Sequence, residues 1–356
     1  MALHQRVRNR EDTRAGRRRR RSHPRHPRLW RQPVTDFASA TMVRLLVQGM
    51  QSLGLDTSAV QLQPTLGGAR VRLDIKQQLV DSAVRQAGLS CLVKLARGGH
   101  FNWDDPTHRT LLSARDAADL LDRWGRLERY VHSLHWVEVG DVHAGDVVLR
   151  HLSRTPGAAP SAPEDLVVLG MLLALLEAID LQDVEAEIEG QRVFPEASES
   201  VLQRLSQRAQ TGTWHVRWRL PALARAETPA RPRPSHAHVP VHLCAALPWP
   251  EVAHRCASIM LDDVLQRRTV GDVARNIGTS TRSLQRALAA TGLSYSSVLA
   301  ETRLRAAAWR LLESTLPIAE VGFLSGYSDQ PHFTRDFSRR VGLSPGRYRE
   351  SFARSA

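Results

Sequence analysis

The chain has few cysteines and no long apolar run, and each shortage excludes a class of protein. Its 356 residues include three cysteines, which lie far apart and form no Cys-x-x-Cys pair. This spacing argues against a disulfide framework and a thiolate metal site, and it favours a reducing cytoplasm. The longest apolar run, Leu166–Leu176, spans eleven residues, whereas a membrane span needs about 20. We therefore expect a buried helix there and no membrane association.

Acidic residues are outnumbered, and the excess positive charge lies at the two ends of the chain. The formal net charge is +13; residues 1–31 hold twelve arginines against two acids, and residues 251–356 hold fifteen arginines against ten acids. Basic ends suit a polyanion such as nucleic acid, because neutralising its phosphates releases counterions. The arginine-rich N-terminus lacks the apolar segment of a secretory signal.

Composition divides the chain into four parts. Residues 1–35 are rich in arginine without apolar periodicity, which predicts disorder; they are either a nucleic-acid arm or an inert tail, with translation starting nearer Met42. Residues 36–223 mix helical and alternating patterns, which predicts a helix-rich α/β domain. Residues 224–250 hold six of the nineteen prolines and have the composition of a linker. Residues 251–356 have a helical pattern almost throughout.

Several elements are predicted within residues 36–223. Apolar spacing indicates helices around residues 42–50, 79–96 and 113–134. Alternation and Gly-Asp turn signals at Gly140 and Gly145 indicate strands over residues 136–152. A further helix is expected to begin near Ser161 or Pro163, and "VEAEIEGQRVF" and "WHVRWRL" are typical of strands. The fold class is therefore mainly α, with mixed α/β structure confined to the N-terminal part.

An internal repeat is the strongest structural signal in the last hundred residues. "VGDVARNIGTSTRSLQRALAATGLS" aligns with "IAEVGFLSGYSDQPHFTRDFSRRVGLS" at offsets that grow from 48 to 50 residues. Each copy has an amphipathic first helix, a glycine that permits a left-handed turn (Gly278, Gly326) and an N-cap residue (Ser280, Asp329). The pairs Leu284/Leu288 and Phe333/Phe337 anchor the second helix, whose opposite face is polar. Each copy therefore predicts a helix-turn-helix.

The segment between the copies predicts one long helix. "SYSSVLAETRLRAAAWRLLEST" contains neither glycine nor proline, and about 20 helical residues span about 30 Å. Such a helix can hold two recognition helices about 34 Å, or one turn of DNA, apart.

These residues resemble the AraC/XylS family of transcriptional regulators. The likeness is carried by "VARNIGTSTRSLQRAL", "TRLRAAAWRLL", "PIAEVGFLSGYSDQPHFTRDF" and "GLSPGRYR". Residues 36–223 resemble more diffusely the arabinose-binding-type sensor domain of one subgroup. The resemblance implies a transcription regulator, with activator among its expected roles. It implies double-stranded DNA, a small-molecule effector and RNA polymerase as partners, and homodimerisation as a further possibility.

Six side chains on the two recognition helices are predicted to contact DNA. Arginine pairs with guanine or with phosphate, and glutamine suits adenine; the resemblance adds Arg282 and His332. Each could also be a solvated residue or only a phosphate contact. The six are Arg282, Gln285, Arg286, Gln330, His332 and Arg335.

Other chemistries have little support in the sequence. His332 has no nucleophile or orienting acid at a fixed spacing, and Ser344 in Gly-Leu-Ser-Pro-Gly follows a helix where a nucleophile elbow needs a strand. The histidine pair His132/His135 and the linker histidines lack a metal-ligand motif. We therefore expect no enzyme activity, no cofactor and no metal, and we identify no ligand-binding residues. The remaining alternative is a non-specific architectural nucleic-acid-binding protein driven by the arginine-rich tail.

Overall fold

A computed structural model describes residues 36–58, 70–98, 101, 105–208, 211–220, 239–240 and 242–353. The predictions for residues 1–35, for His236 and His238, and for most of the proline-rich segment lie outside the described residues. We call residues 36–220 the N-terminal region and residues 239–353 the C-terminal region.

The four helices predicted in the N-terminal region are present, although one ends earlier than expected, and the helices at Pro106–Leu112 and Glu199–Ser206 were not predicted. The helix expected over residues 79–96 ends at Ala87, because Gly88 has a φ of +77° and turns the chain into a 3-10 turn at Leu89–Cys91. The helices are α1 Ala40–Ser52, α2 Leu73–Ala87, α3 Leu95–Gly98, α4 Pro106–Leu112, α5 Ala117–Val131, α6 Ala162–Ala178 and α7 Glu199–Ser206.

In the residues that the structure describes, seven strands form two antiparallel sheets. Trp214, Val216 and Trp218 of β7 point into the core and alternate with exposed residues, as a half-buried strand requires. The small sheet pairs β1 Phe37–Ser39 with β2 Arg70–Arg72. The large sheet contains β3 His135–Val142, β4 Asp146–Ser153, β5 Gln182–Ile188, β6 Gln191–Phe194 and β7 Thr213–Arg219. Its strands lie in the order β3-β4-β7-β5-β6.

Of the two Gly-Asp turns predicted between the strands, one is present and one is not. The prediction of a turn at Gly140-Asp141 was wrong: both residues lie within β3, where the register with β4 shifts between Val139 and Val142. Gly145 does lie in the connection between β3 and β4. In the sequence, a glycine at an irregularity within an antiparallel strand therefore cannot be distinguished from a glycine in a hairpin turn.

The predicted buried helix is α6. Ser161 caps it by accepting a hydrogen bond from the backbone N–H of Glu164, whose side chain in turn accepts from the backbone N–H of Ser161. Residues from Ala162 to Leu176 are almost all buried, since the helix lies between the large sheet and the other helices. Among the helices of the described residues, none is long and apolar enough to span a membrane.

The described residues of the C-terminal region form helices and their connections, without a strand. They are α8 Glu251–Asp262, α9 Val270–Ile277, α10 Thr281–Ala289, α11 Tyr295–Glu313, α12 Ile318–Leu324, α13 Gln330–Val341 and α14 Pro345–Phe352. Together with the mixed N-terminal region, they confirm the predicted fold class.

Two apolar cores stabilise the described chain. The first contains the interior of the N-terminal region and also the buried residues of α12 and α13, including Phe323, Phe333 and Phe337. The second is formed by α8, α9 and α10 together with Val239 and Cys244 from the end of the proline-rich segment. The two helix-turn-helix copies therefore belong to different cores, although their sequences are equivalent.

Candidate nucleic-acid interface

The first helix-turn-helix consists of α9 and α10. Thr269 and Asp272 form a capping box at the start of α9, and Gly278 ends that helix in the left-handed conformation at φ +78° and ψ +35°. Ser280 then starts α10 by accepting a hydrogen bond from the backbone N–H of Ser283. These local signals set where α9 ends and α10 begins, because each of these helix ends is satisfied by its own capping residue.

The second helix-turn-helix, α12 and α13, repeats this construction with larger side chains. Gly326 has a φ of +80°, and Asp329 caps α13 by accepting a hydrogen bond from the His332 backbone N–H at 2.7 Å. A Cβ added to Gly322 would lie 2.8 Å from Cδ1 of Phe333 and 3.0 Å from Cε1 of Tyr130. Only glycine therefore allows α12 to lie against both the recognition helix and α5.

Helix α11 connects the two copies. Its 19 residues correspond to a length of about 28 Å. Ser294 caps its N-terminus, and Val298, Ala306 and Leu311 are buried along it. The predicted connecting helix is thus present and continuous.

Four of the six predicted contact residues are exposed and unpartnered. Arg282, Gln285 and Arg286 are exposed on α10, and Arg335 is exposed on α13. Within the part of the chain that the structure describes, no hydrogen bond or ion pair joins these four side chains to the protein. Their charges and hydrogen-bonding groups are therefore available to a partner.

The other two predicted residues are partly engaged with the protein. Gln330 is the first residue of α13 and is half-buried. His332 is exposed, but its Nδ1 lies 3.0 Å from the hydroxyl of Ser328, and its ring packs edge-on against Tyr327. The tyrosine and serine thus fix the orientation of the imidazole.

Neighbouring arginines on α13 differ from Arg335 because they are neutralised. Arg339 and Arg340 hydrogen-bond Oδ1 of Asp336 at 2.6 and 3.0 Å. Burial raises the pKa of Asp336, but these two hydrogen bonds outweigh it and leave the pKa below its ordinary value. Asp336 therefore stays ionised, and Arg335 is the arginine of α13 that remains without an acidic partner in the described structure.

The alternative sites considered from the sequence have structural roles. Ser344 caps α14, with Pro345 as its first helical residue. His132 and His135 stack at 5.8 Å between ring centroids, and both are buried. Across the described ranges, no group of three or more His, Cys, Asp and Glu side chains is arranged to hold a metal ion.

Helix α5 contacts the second helix-turn-helix, and sequence reasoning missed this contact. The rings of Tyr130 and Phe323 lie 6.2 Å apart. Arg123 pairs with Asp263 at 2.5 Å, and Arg126 donates a hydrogen bond to the carbonyl of Leu265 at 2.5 Å. The only sequence signal was two arginines on the apolar face of a helix, and that pattern does not reveal which segment they meet.

The burial of Arg123 is compensated by carboxylates. Burial lowers the pKa of Arg123, but Asp263 and Asp119 outweigh it, so that its pKa is raised above the ordinary value. Removing one member of such a pair leaves an uncompensated buried charge, which costs about 3–5 kcal/mol.

Comparison with known proteins agrees with this geometry. Residues 273–351 match the family described as a helix-turn-helix domain. An ornithine utilization regulator from Pseudomonas aeruginosa is 40% identical over 78 residues, which are 22% of this chain and 23% of that protein. The transcriptional activator NphR from Rhodococcus sp is 37% identical over 86 residues, which are 24% of this chain and 26% of that protein. The chain thus spans about a quarter of the length of these curated relatives.

A solved structure of a transcriptional regulator from Chromobacterium violaceum, described as having an AraC-type DNA-binding domain, matches with 24% identity and a TM-score of 0.28. The match covers 30% of this chain and 95% of that chain.

The fold and the matched segment define a tandem helix-turn-helix domain at the C-terminus of this chain. This domain is of the AraC type, as its sequence resemblance implied.

Proposed function

We propose that the protein is a sequence-specific, DNA-binding transcription regulator that acts in the cytoplasm and has no enzyme activity. The observation that carries this proposal is the equivalent placement of two exposed arginines. Arg286 and Arg335 occupy matching positions of the repeat, and neither has an internal acidic partner among the described residues. Exposed, unpaired arginines on recognition helices are suited to guanine or phosphate.

The two recognition helices read successive major grooves on one face of the duplex in this proposal. Helix α11 has a length comparable to the roughly 34 Å between successive grooves, since its 19 residues extend about 28 Å. Arg282, Gln285 and Arg286 contact one groove, and Gln330, His332 and Arg335 contact the next. The ring of Tyr327 packs against the imidazole of His332 and limits its orientation. An imidazole oriented in this way is suited to a hydrogen bond with a base or a phosphate.

The N-terminal region modulates DNA binding in this proposal, as an effector-binding or dimerisation domain joined to the DNA-binding domain through residues 224–250. An effector changes promoter occupancy only if it binds one conformation better than another. The contacts of α5 with Asp263 and Leu265 provide a physical connection for such coupling. Transcription activation then involves RNA polymerase as a further partner.

The substitution Arg335→Ala tests the proposal. Genomic fragments selected by the wild-type chain supply the cognate site, and affinity is measured for that site and for random DNA. We expect Arg335→Ala to weaken cognate binding by about 1–3 kcal/mol and to relax preference at one end of the site. Arg192→Ala is the matched control, because this arginine lies on β6 and its side chain is 58% exposed. Unchanged affinity of Arg335→Ala for both DNAs would remove it from the contact surface.

The alternative is a non-specific architectural binder driven by the arginine-rich tail. That alternative predicts equal displacement by competitor DNA of any sequence and loss of binding when residues 1–31 are deleted. Our proposal predicts that the shortened chain keeps its preference for the cognate site.

A further inference from the structure

A cavity of about 350 Å³ lies where α5 meets α11, the loop between α8 and α9, and the second helix-turn-helix. Arg126 of α5 lines one wall, Arg267 and Arg268 line a second from the loop between α8 and α9, and Arg303 of α11 lines a third. His332, at the start of the second recognition helix, completes the lining on that side. Volumes of about 300–1,000 Å³ are typical of small-molecule sites.

Three of these arginines have an unsatisfied nitrogen. The Nε atoms of Arg126, Arg268 and Arg303 are buried and have no hydrogen-bond partner within the described part of the chain. Arg126 is the most buried of them, with 3% of the residue exposed. A buried donor without an acceptor costs about 1–3 kcal/mol, so the guanidinium groups beside this cavity are incompletely satisfied by the protein.

The cavity also has more cations than acids. Asp122 accepts ion pairs from both Arg126 at 2.8 Å and Arg267 at 3.0 Å, and Asp262 lies 3.7 Å from Arg268. Asp263 also lines the cavity, but it already pairs with Arg123 on α5.

Arg303 is the cation that these acids leave unmatched. It makes no ion pair and no hydrogen bond in the ranges that the structure describes. Four arginines thus share two carboxylates around one small volume.

Burial is the main reason that two of these arginines are less basic than usual. Burial lowers the pKa of Arg126; Asp122 offsets part of this effect, and the charges of Arg267, Arg123 and Arg303 add to it. Burial likewise lowers the pKa of Arg303; Tyr327 and Tyr295 offset part of this effect, and Arg267 adds a smaller repulsion. An anion in the cavity would remove this repulsion, since it offers each guanidinium an acceptor of opposite charge.

We propose that this cavity binds a small polyvalent oxyanion, such as a molecule carrying phosphate or several carboxylate groups. Guanidinium groups present planar pairs of donors that match the oxygens of both groups. The bound anion bridges Arg126 of α5 with Arg268 and Arg303 of the helix-turn-helix region, and so ties the N-terminal region to the DNA-binding domain. A resulting change in DNA affinity rests on the function proposed above, whereas anion binding itself does not.

Pyrophosphate is the probe for the first test. Titration calorimetry on the full chain, at constant ionic strength and without DNA, is expected to give one saturable site per chain. We expect Arg303→Gln and Arg268→Gln each to weaken pyrophosphate binding at least tenfold. Arg275→Gln should bind like the wild type, because its side chain is 80% exposed on α9 and pairs with Asp272.

Folding of the variants is checked independently of the ligand. Without pyrophosphate, Arg303→Gln should unfold at the same temperature as the wild type or higher, because the change removes a repelled charge. Wild-type pyrophosphate affinity in both Arg303→Gln and Arg268→Gln would overturn the proposal, as would the absence of saturable binding to the wild-type chain. Neither result depends on whether the protein recognises a DNA sequence.

A second arm distinguishes a free anion from a phosphate of the DNA backbone. If the site takes a free anion, Arg303→Gln keeps wild-type DNA affinity in the absence of pyrophosphate and loses only the effect of pyrophosphate on that affinity. If DNA supplies the phosphate, pyrophosphate competes with DNA, and Arg303→Gln weakens DNA binding and reduces the salt dependence by about one phosphate contact. The second outcome would overturn the assignment to a small molecule.

Discussion

The pKa of Glu320 is affected by the contact between the N-terminal region and the second helix-turn-helix. Glu320 lies in the first turn of α12 and is 8% exposed. Burial and the nearby carboxylate of Asp105 raise its pKa to about 7, and Arg44 offsets only part of this effect. An acid that is hard to ionise in the folded state makes the contact sensitive to pH.

We predict that Glu320→Gln stabilises the protein in alkaline but not in acidic solution. Because the folded pKa is above the unfolded value, the contribution of Glu320 to stability is fully present below about pH 4.5, is lost as pH rises towards 7 and then levels off. The variant should therefore gain on the order of 2–3 kcal/mol in unfolding free energy at pH 8, and less than about 1 kcal/mol at pH 5. Denaturant unfolding at the two pH values measures the difference.

Glu313→Gln is the control for this prediction, because Glu313 is an exposed glutamate near the end of α11. A gain for Glu320→Gln that is equal at pH 5 and pH 8 would show that Glu320 is not the group that titrates.

At the scale of elements, five helices of the C-terminal region begin at their own capping side chains, whereas α8 and α12 follow Pro250 and Pro317, which provide no side-chain cap. Thr269, Ser280, Ser294, Asp329 and Ser344 each accept a hydrogen bond from the backbone of the helix they start. A cap contributes about 0.5–2 kcal/mol and also sets where the helix begins. On the recognition helices it thereby sets which side chains face outwards.

The cap of α13 is the one that we expect to affect recognition. Asp329→Ala removes the acceptor of the His332 backbone N–H and a partner of the Ser328 hydroxyl. It should cost about 1–2 kcal/mol in stability and should also weaken binding to the cognate site. Thermal unfolding and DNA titration measure the two effects.

The conservative variant Asp329→Asn is the control for the cap, because asparagine and aspartate cap helices with nearly equal strength. This variant should restore most of the stability that Asp329→Ala loses. If the alanine and asparagine variants behave alike, the charge of Asp329 and not its cap determines the effect.

The elements of the C-terminal region could be predicted from sequence because their signals are local. Gly278, Gly326, Ser280 and Asp329 each determine a helix end through their own backbone or side chain. The break at Gly88 was missed, since apolar spacing on both sides of it suggested one continuous helix. The docking of α5 could not be predicted at all, because Arg123 and Asp263 are 140 residues apart and no local pattern relates them.

The sequence predicts which residues lie on the outer faces of the recognition helices, but it does not predict whether each of their side chains is paired with an acid. Their positions on the outer faces of α10 and α13 follow from the anchors Leu284, Leu288, Phe333 and Phe337. The difference between Arg335, which is unpaired, and Arg339, which is neutralised by Asp336, depends on side-chain geometry that spacing alone does not define.

For the whole molecule, the division into two apolar cores is the dominant feature. The second helix-turn-helix shares a core with the N-terminal region, whereas the first has a core of its own with α8. Packing and not sequence repetition determines which segments unfold together, because cooperative units follow buried contacts.

We therefore predict that the amide protons of α13 lose their protection from hydrogen exchange together with those of α5 and not with those of α10. Tyr130→Ala should reduce protection in α12 and α13 more than in α9 and α10, because Tyr130 contacts Phe323 and lies beside Gly322. Leu288→Ala, in the other core, should give the opposite pattern. Native-state hydrogen exchange measured by mass spectrometry resolves these segments.

Equal loss of protection in both helix-turn-helix copies in each variant would contradict this division and would indicate one cooperative DNA-binding domain.

The shared core also has a practical consequence for work with fragments. A recombinant piece that starts after the proline-rich segment would expose the apolar side of α12, where Ala319, Val321 and Phe323 are buried in the full chain. Such a fragment is expected to self-associate or to need a solubilising fusion partner.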